Sequence, residues 1–153
     1  MTQLELKIPP PLIAAVSAGI MYGVATLLPV LSLPPSLRAG TALVLAVVGG
    51  SLDVAGLMAF RRAKTTVNPM APQQSSSVVS TGVYRFTRNP MYLGLVCLLL
   101  AWAVYLSSAW ALLVVPAFMA YITRFQIKPE ESVLAARFGS AYAKYCARVR
   151  RWL

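Results

Sequence analysis

The stretch Ala39-Gly-Thr-Ala-Leu-Val-Leu-Ala-Val-Val-Gly-Gly-Ser-Leu-Asp-Val-Ala-Gly-Leu-Met-Ala-Phe60 holds one ionisable side chain, Asp53, and is followed at once by Arg61, Arg62 and Lys64. A helix rising 1.5 Å per residue needs about 20 apolar residues to cross a hydrocarbon layer of about 30 Å, and a basic cluster marks the end that stays in the cytoplasm. Three more apolar runs, 11–31, 91–106 and 109–125, repeat the pattern. Over 153 residues the chain is 58% hydrophobic and 12% charged, with a mean hydropathy of +0.68, too apolar for an ordinary soluble domain. The expected fold is all-α: a single polytopic membrane domain of about four transmembrane helices, with a cytoplasmic amphipathic helix over 129–151.

Charge placement gives the orientation. The chain has 14 Lys and Arg against 4 Asp and Glu, a net charge of +10. Thirteen of those 14 lie in the leader, in loop 61–89 or from Arg124 onward, leaving Arg38 alone at the other face. Because the basic residues cluster between apolar runs, membrane topology accounts for them and a nucleic-acid partner is set aside. Both termini and loop 61–89 are expected in the cytoplasm, with the chain in a bacterial inner membrane. The first run is too long for a signal-peptide core and is expected to be retained as a span.

No histidine is present, so imidazole chemistry and histidine metal ligation are excluded. Cys97 and Cys146 lack the paired spacing of a disulfide framework or zinc site and read as free thiols; no metal is expected.

The 29-residue loop 61–89 is long for so small a protein, and long loops are disproportionately functional. Thr65 to Ser80, rich in Pro, Gln and Ser, reads as a flexible linker. Beyond the last span, Lys128-Pro-Glu-Glu predicts a helix start near Pro129, since proline suits the first turn and glutamates suit the positive end of the helix dipole. Leu134, Phe138, Tyr142, Tyr145 and Val149 form its apolar side, to lie on the inner leaflet or against the loop. Glu130 and Glu131 are half of the acidic residues, one more than capping needs, which points to a cationic or hydroxyl-rich ligand. A carboxylate within a span is costly, so Asp53 reads as functional or paired. Gly49, Gly50 and Gly56 suit close helix packing, and Pro116 should kink the fourth span.

The segment Thr81-Gly-Val-Tyr-Arg-Phe-Thr-Arg-Asn-Pro-Met-Tyr-Leu-Gly94, with Glu130-Glu-Ser-Val-Leu-Ala-Ala-Arg-Phe-Gly-Ser-Ala-Tyr142 after it, resembles the isoprenylcysteine carboxyl methyltransferase and phospholipid methyltransferase group. The likeness covers roughly 68–151 and leaves the first two spans without a signature. It implies an S-adenosylmethionine site held by Val78, Val79, Tyr84, Asn89, Pro90, Met91, Tyr92 and Glu130; Arg88, Arg124 and Glu131, charged and near that site in the chain, are the candidate catalytic residues. Two positions depart from the group's pattern: Asn89 stands in place of histidine, and Gln126 in place of an arginine that faces a substrate carboxyl. A carboxylate acceptor needs no general base, and Arg124, at the end of the fourth span, is the expected cation for it. The partners implied are the membrane and a lipophilic or lipid acceptor. The alternatives are methylation of a phospholipid amine, an NADPH-dependent enzyme resembling membrane sterol reductases, and a non-catalytic membrane protein of the same fold.

Overall fold

The computed structural model describes residues 5–29, 31–66, 68 and 70–153. Its architecture is all-helical: α1 (Pro10–Leu27), α2 (Pro35–Arg62), α3 (Pro90–Tyr105), α4 (Val114–Ile122) and α5 (Lys128–Arg148), with short 3-10 turns at Pro72–Gln74, Gly82–Arg85 and Ala111–Leu113. A π turn, Thr123–Ile127, joins α4 to α5. Among the described residues, α1, α2 and the continuous stretch Ala111–Arg148 are long and apolar enough to cross a membrane, while α3 is a shorter apolar helix. This is a polytopic all-α membrane protein.

Helix boundaries follow from proline placement. α1, α2 and α3 each carry proline in the first turn, where its missing N–H leaves no bond unmade, while at Pro129 the carbonyl four residues back, on Phe125, accepts from the Leu6 N–H at 3.1 Å. α1 stops at Leu27, short of the expected 31, because Leu28 precedes Pro29 and is driven to an extended backbone, φ −116° and ψ 155°. α2 starts before the expected Ala39. Its 28 residues span about 42 Å, so a helix set in the hydrocarbon carries its terminal Arg61 and Arg62 beyond it.

α2 lies along α3 through Gly49, Asp53 and Gly56, spaced to share one helix face. A Cβ on Gly49 would come within 2.8 Å of the Gly94 carbonyl oxygen, one on Gly56 within 2.6 Å of the Met91 side chain, and one on Gly94 would run into the Asp53 carboxylate. Small residues permit this approach, as membrane helix interfaces require. A second core joins α1, α3 and α4 through Met21, Leu99, Ala103, Phe118 and Ile122. There the Trp102 indole N–H donates to the Ala18 carbonyl at 3.1 Å. Leu12, Val16 and Ile20 of α1 and Leu43, Val44 and Val47 of α2 point outward, as lipid-facing side chains should. Arg38 stacks on the Tyr105 ring at 5.3 Å, at the end of the bundle opposite Arg61.

Three expectations are corrected. The fourth span does not end before a separate helix at Pro129: the chain stays helical from Ala111 to Arg148. Proline inside a regular helix clashes with the carbonyl four residues back, and the wider π turn just before Pro129 relieves that conflict. The break comes instead inside α5 at Gly139, φ 50° and ψ −122°, and α5 ends at Arg148 instead of running to 151. Pro116 falls in the first turn of α4, behind the Ala111–Leu113 turn, so the expected kink is a change of helix type.

Candidate active site

The motif segment is anchored from both sides. Tyr145 of α5 donates its hydroxyl to the Tyr84 carbonyl at 2.8 Å, and the Phe60 ring at the end of α2 meets the Tyr84 ring edge-on at 5.4 Å. Residues 150–151 return beneath the start of α3: the Arg88 N–H donates to the Arg150 carbonyl at 3.0 Å and the Asn89 amide to the Arg151 carbonyl at 2.8 Å. The asparagine in the usual place of histidine therefore serves a backbone acceptor.

A cavity of about 300 Å³ opens between these parts, at the lower end of ligand-site volumes. Of the expected cofactor residues, Val78, Val79, Tyr84, Asn89, Met91, Tyr92 and Glu130 line it. Pro90 does not, being fully buried beneath the first turn of α3. Arg88 and Glu131 also line the cavity, as does Asp53 from α2.

Arg124 is placed elsewhere. Its guanidinium pairs with Glu5 at 3.2 Å, its side chain is 52% exposed, and it is not in the cavity wall. Gln126 and Ile127 take the inward side of the π turn, both with no exposed surface. A residue two positions before Gln126 sits about half a turn away and faces out. Gln126 donates to the Ile8 carbonyl at 2.7 Å, so the position expected to face a substrate carboxyl binds the leader instead.

The electrostatics divide the acidic residues. Glu131 accepts from Arg88 at 2.9 Å and from Arg151 at 2.7 and 3.0 Å, two guanidiniums on one carboxylate. Those bonds raise the already high Arg151 value further and keep it charged. Glu130 accepts from the Tyr92 hydroxyl and has no cation beside it among the described residues. Burial pushes the Tyr84 phenol far above its ordinary value, with Tyr145, Glu130 and Asp53 adding to the shift, so Tyr84 is a neutral donor. The Arg88 Nε is buried and has no hydrogen-bond partner among the described residues.

Sequence reading missed other lining residues. The Thr65–Ser80 segment is no loose linker where described: the Ser76 N–H donates to the Thr65 hydroxyl at 2.8 Å and the Ser76 hydroxyl to the Lys64 carbonyl at 3.1 Å, folding it onto the end of α2. Thr66, Asn68, Ser75 and Ser77 thereby reach the wall. Val67 and Pro69 lie outside the described residues. The apolar side of α5, Leu134, Phe138, Tyr142, Tyr145 and Val149, packs with Val78 and so covers the loop. Of the two partners expected for that stripe, the inner leaflet and the loop, the structure shows the loop.

The chain matches the family described as phospholipid methyltransferase over residues 37–141, a span that takes in all but the first two residues of α2 and extends the likeness toward the N-terminus. It is 46% identical over 63 residues to an uncharacterised protein of Haemophilus influenzae, covering 41% of this chain and all of that one. No solved structure matches. The match spans most of the chain, including α3, nearly all of α2 and the glutamate pair around the cavity, and the chain belongs to the phospholipid methyltransferase family.

Proposed function

We propose that the protein transfers a methyl group from S-adenosylmethionine to an amine-bearing lipid at the cytoplasmic face of the membrane. The observation that carries the acceptor class is charge. The cavity wall holds three carboxylates, Asp53, Glu130 and Glu131, and one guanidinium, Arg88. Arg88 gives a terminal nitrogen to Glu131 and keeps only its buried Nε, which the cofactor's own carboxylate would take, and Arg124 is paired with Glu5 outside the cavity. Neither Asp53 nor Glu130 has a cation beside it among the described residues, which suits a positively charged cofactor and a positively charged acceptor and leaves a carboxylate acceptor without a partner. The carboxyl methylation expected from sequence loses the cation it relied on.

The donor set fits the cofactor. Glu130 can accept from ribose hydroxyls or offset the cofactor's cation, Tyr84 and Tyr92 offer aromatic faces and neutral hydroxyls, and the unpartnered Nε of Arg88 offers a donor to a carboxylate. Bound S-adenosylmethionine supplies a sulfonium methyl whose C–S electron pair stays on sulfur when the methyl leaves. The chain's part is to hold the acceptor nitrogen in line, because in-line displacement depends on near-attack geometry. Glu131 acts through Arg88 as a positioning residue. A lipid acceptor arrives laterally through the bilayer, while the cofactor enters from the cytosol. Transfer of an isotopically labelled methyl to defined lipids, beside binding of S-adenosylhomocysteine and NADPH, tests this reading against a reductase and a non-catalytic protein.

A further inference from the structure

Asp53 sits in α2, eight residues or about 12 Å before Arg61, and its carboxylate faces the cavity. It makes no hydrogen bond or ion pair among the described residues. A carboxylate at such depth is expensive unless it meets a cation or water. Its place is built by the neighbouring helix: Gly94 of α3 has no side chain where the carboxylate lies, and any Cβ there would collide with it. Met91 and Leu95 of α3 also line the cavity, so the carboxylate stands in a largely apolar wall. An unpaired charge, a glycine that makes room for it and an opening beside it together describe a receptor for a cation reaching in from the membrane.

We propose that Asp53 binds the ammonium of the lipid acceptor and takes its proton. This assignment rests on the amine reading above and adds a catalytic residue to it. An ammonium has no lone pair, so methylation requires prior loss of a proton. That proton passes from the acceptor nitrogen to a carboxylate oxygen of Asp53, leaving a neutral carboxylic acid and a neutral amine. The nitrogen's freed lone pair then forms the N–C bond, and the nitrogen regains its positive charge as the methyl arrives. Asp53 releases its proton to water before the next turnover. Glu131 is held by two arginines and Glu130 by Tyr92, with its other oxygen given to the cofactor in the reading above, which leaves Asp53 as the carboxylate without a hydrogen bond among the described residues.

Wild type, Asp53→Asn and Asp53→Glu in nanodiscs of phosphatidylethanolamine or phosphatidylglycerol test this. Thermal unfolding of the ligand-free variants, within a few degrees of wild type, reports folding independently of what the cavity holds. Asp53→Asn should slow methyl transfer to phosphatidylethanolamine at least 100-fold, within the range for loss of a general base. Asp53→Glu should recover at least tenfold of that loss. On the wild-type protein, phosphatidylethanolamine but not phosphatidylglycerol should slow carbodiimide labelling of Asp53 severalfold, read by peptide mass spectrometry. Wild-type turnover in Asp53→Asn, or equal labelling in the two lipids, overturns the assignment. Failure of the wild type to bind S-adenosylhomocysteine overturns the methyltransferase reading beneath it; binding with transfer to a fatty acid overturns the amine reading alone.

Discussion

Glu130 and Glu131 are adjacent in sequence and unlike in surroundings. Glu131 is locked between Arg88 and Arg151, whereas Glu130 accepts from one phenol and faces the cavity. Glu130→Gln should weaken S-adenosylhomocysteine binding about tenfold, because one acceptor oxygen becomes an NH2 donor facing the ligand hydroxyls and the Tyr92 phenol. Glu131→Gln should lower stability by about 1–3 kcal/mol, since it leaves two guanidiniums short of their acceptor, and should weaken binding less. Calorimetry and thermal unfolding in detergent separate the effects; equal losses of affinity would contradict the division. The pair's importance was legible from composition, because half of the acidic residues stand side by side at one point. Their division of labour was not, since it depends on Arg151 returning from beyond the end of α5. Arg124 was misread for a different reason: it is near Gln126 in sequence, but residues two apart on a helix point to opposite sides, so a buried Gln126 puts Arg124 outside.

At the scale of elements, apolar run length located the helices and proline set most of their starts. What run length could not show was continuity across Pro129, because a π turn has no sequence signature as plain as a proline has for a break. The bend at Gly139 was equally hidden. Its backbone, φ 50° and ψ −122°, lies where side chains are strained, yet nothing stands within 4 Å of a Cβ placed there. Gly139→Ala should therefore destabilise the protein by about 1–3 kcal/mol through backbone strain alone. Unfolding temperatures of the purified variant and wild type check this, and an unchanged or raised value would mean that α5 can straighten. The bend matters because the segment after it carries Tyr142 and Tyr145 to the cavity wall.

Over the whole molecule, the fold class and the motif-bearing wall of the cavity were readable from hydrophobic patterning and resemblance, while the contribution of α2 was not. Asp53 was conspicuous as a charge in a span, but only the packing of Gly94 against it brings it to the cavity that Tyr84 and Glu130 also line. The orientation proposed here keeps the termini and loop 61–89 in the cytoplasm, because 13 of 14 basic residues lie on that side. In a background lacking Cys97 and Cys146, Gln74→Cys and Arg150→Cys, both at exposed positions, should resist an impermeant thiol reagent added to intact cells, and Ser36→Cys should react. Reaction at position 74 or 150 would overturn the orientation.

The central claim is transfer of a methyl group to a lipid amine. The wild-type protein, in nanodiscs containing phosphatidylethanolamine, phosphatidylglycerol and a long-chain fatty acid, is given S-adenosylmethionine with a deuterated methyl, and the lipids are analysed by mass spectrometry. The account predicts label in phosphatidylethanolamine alone. Label in the fatty acid, or in no lipid from protein that binds S-adenosylhomocysteine, would contradict it.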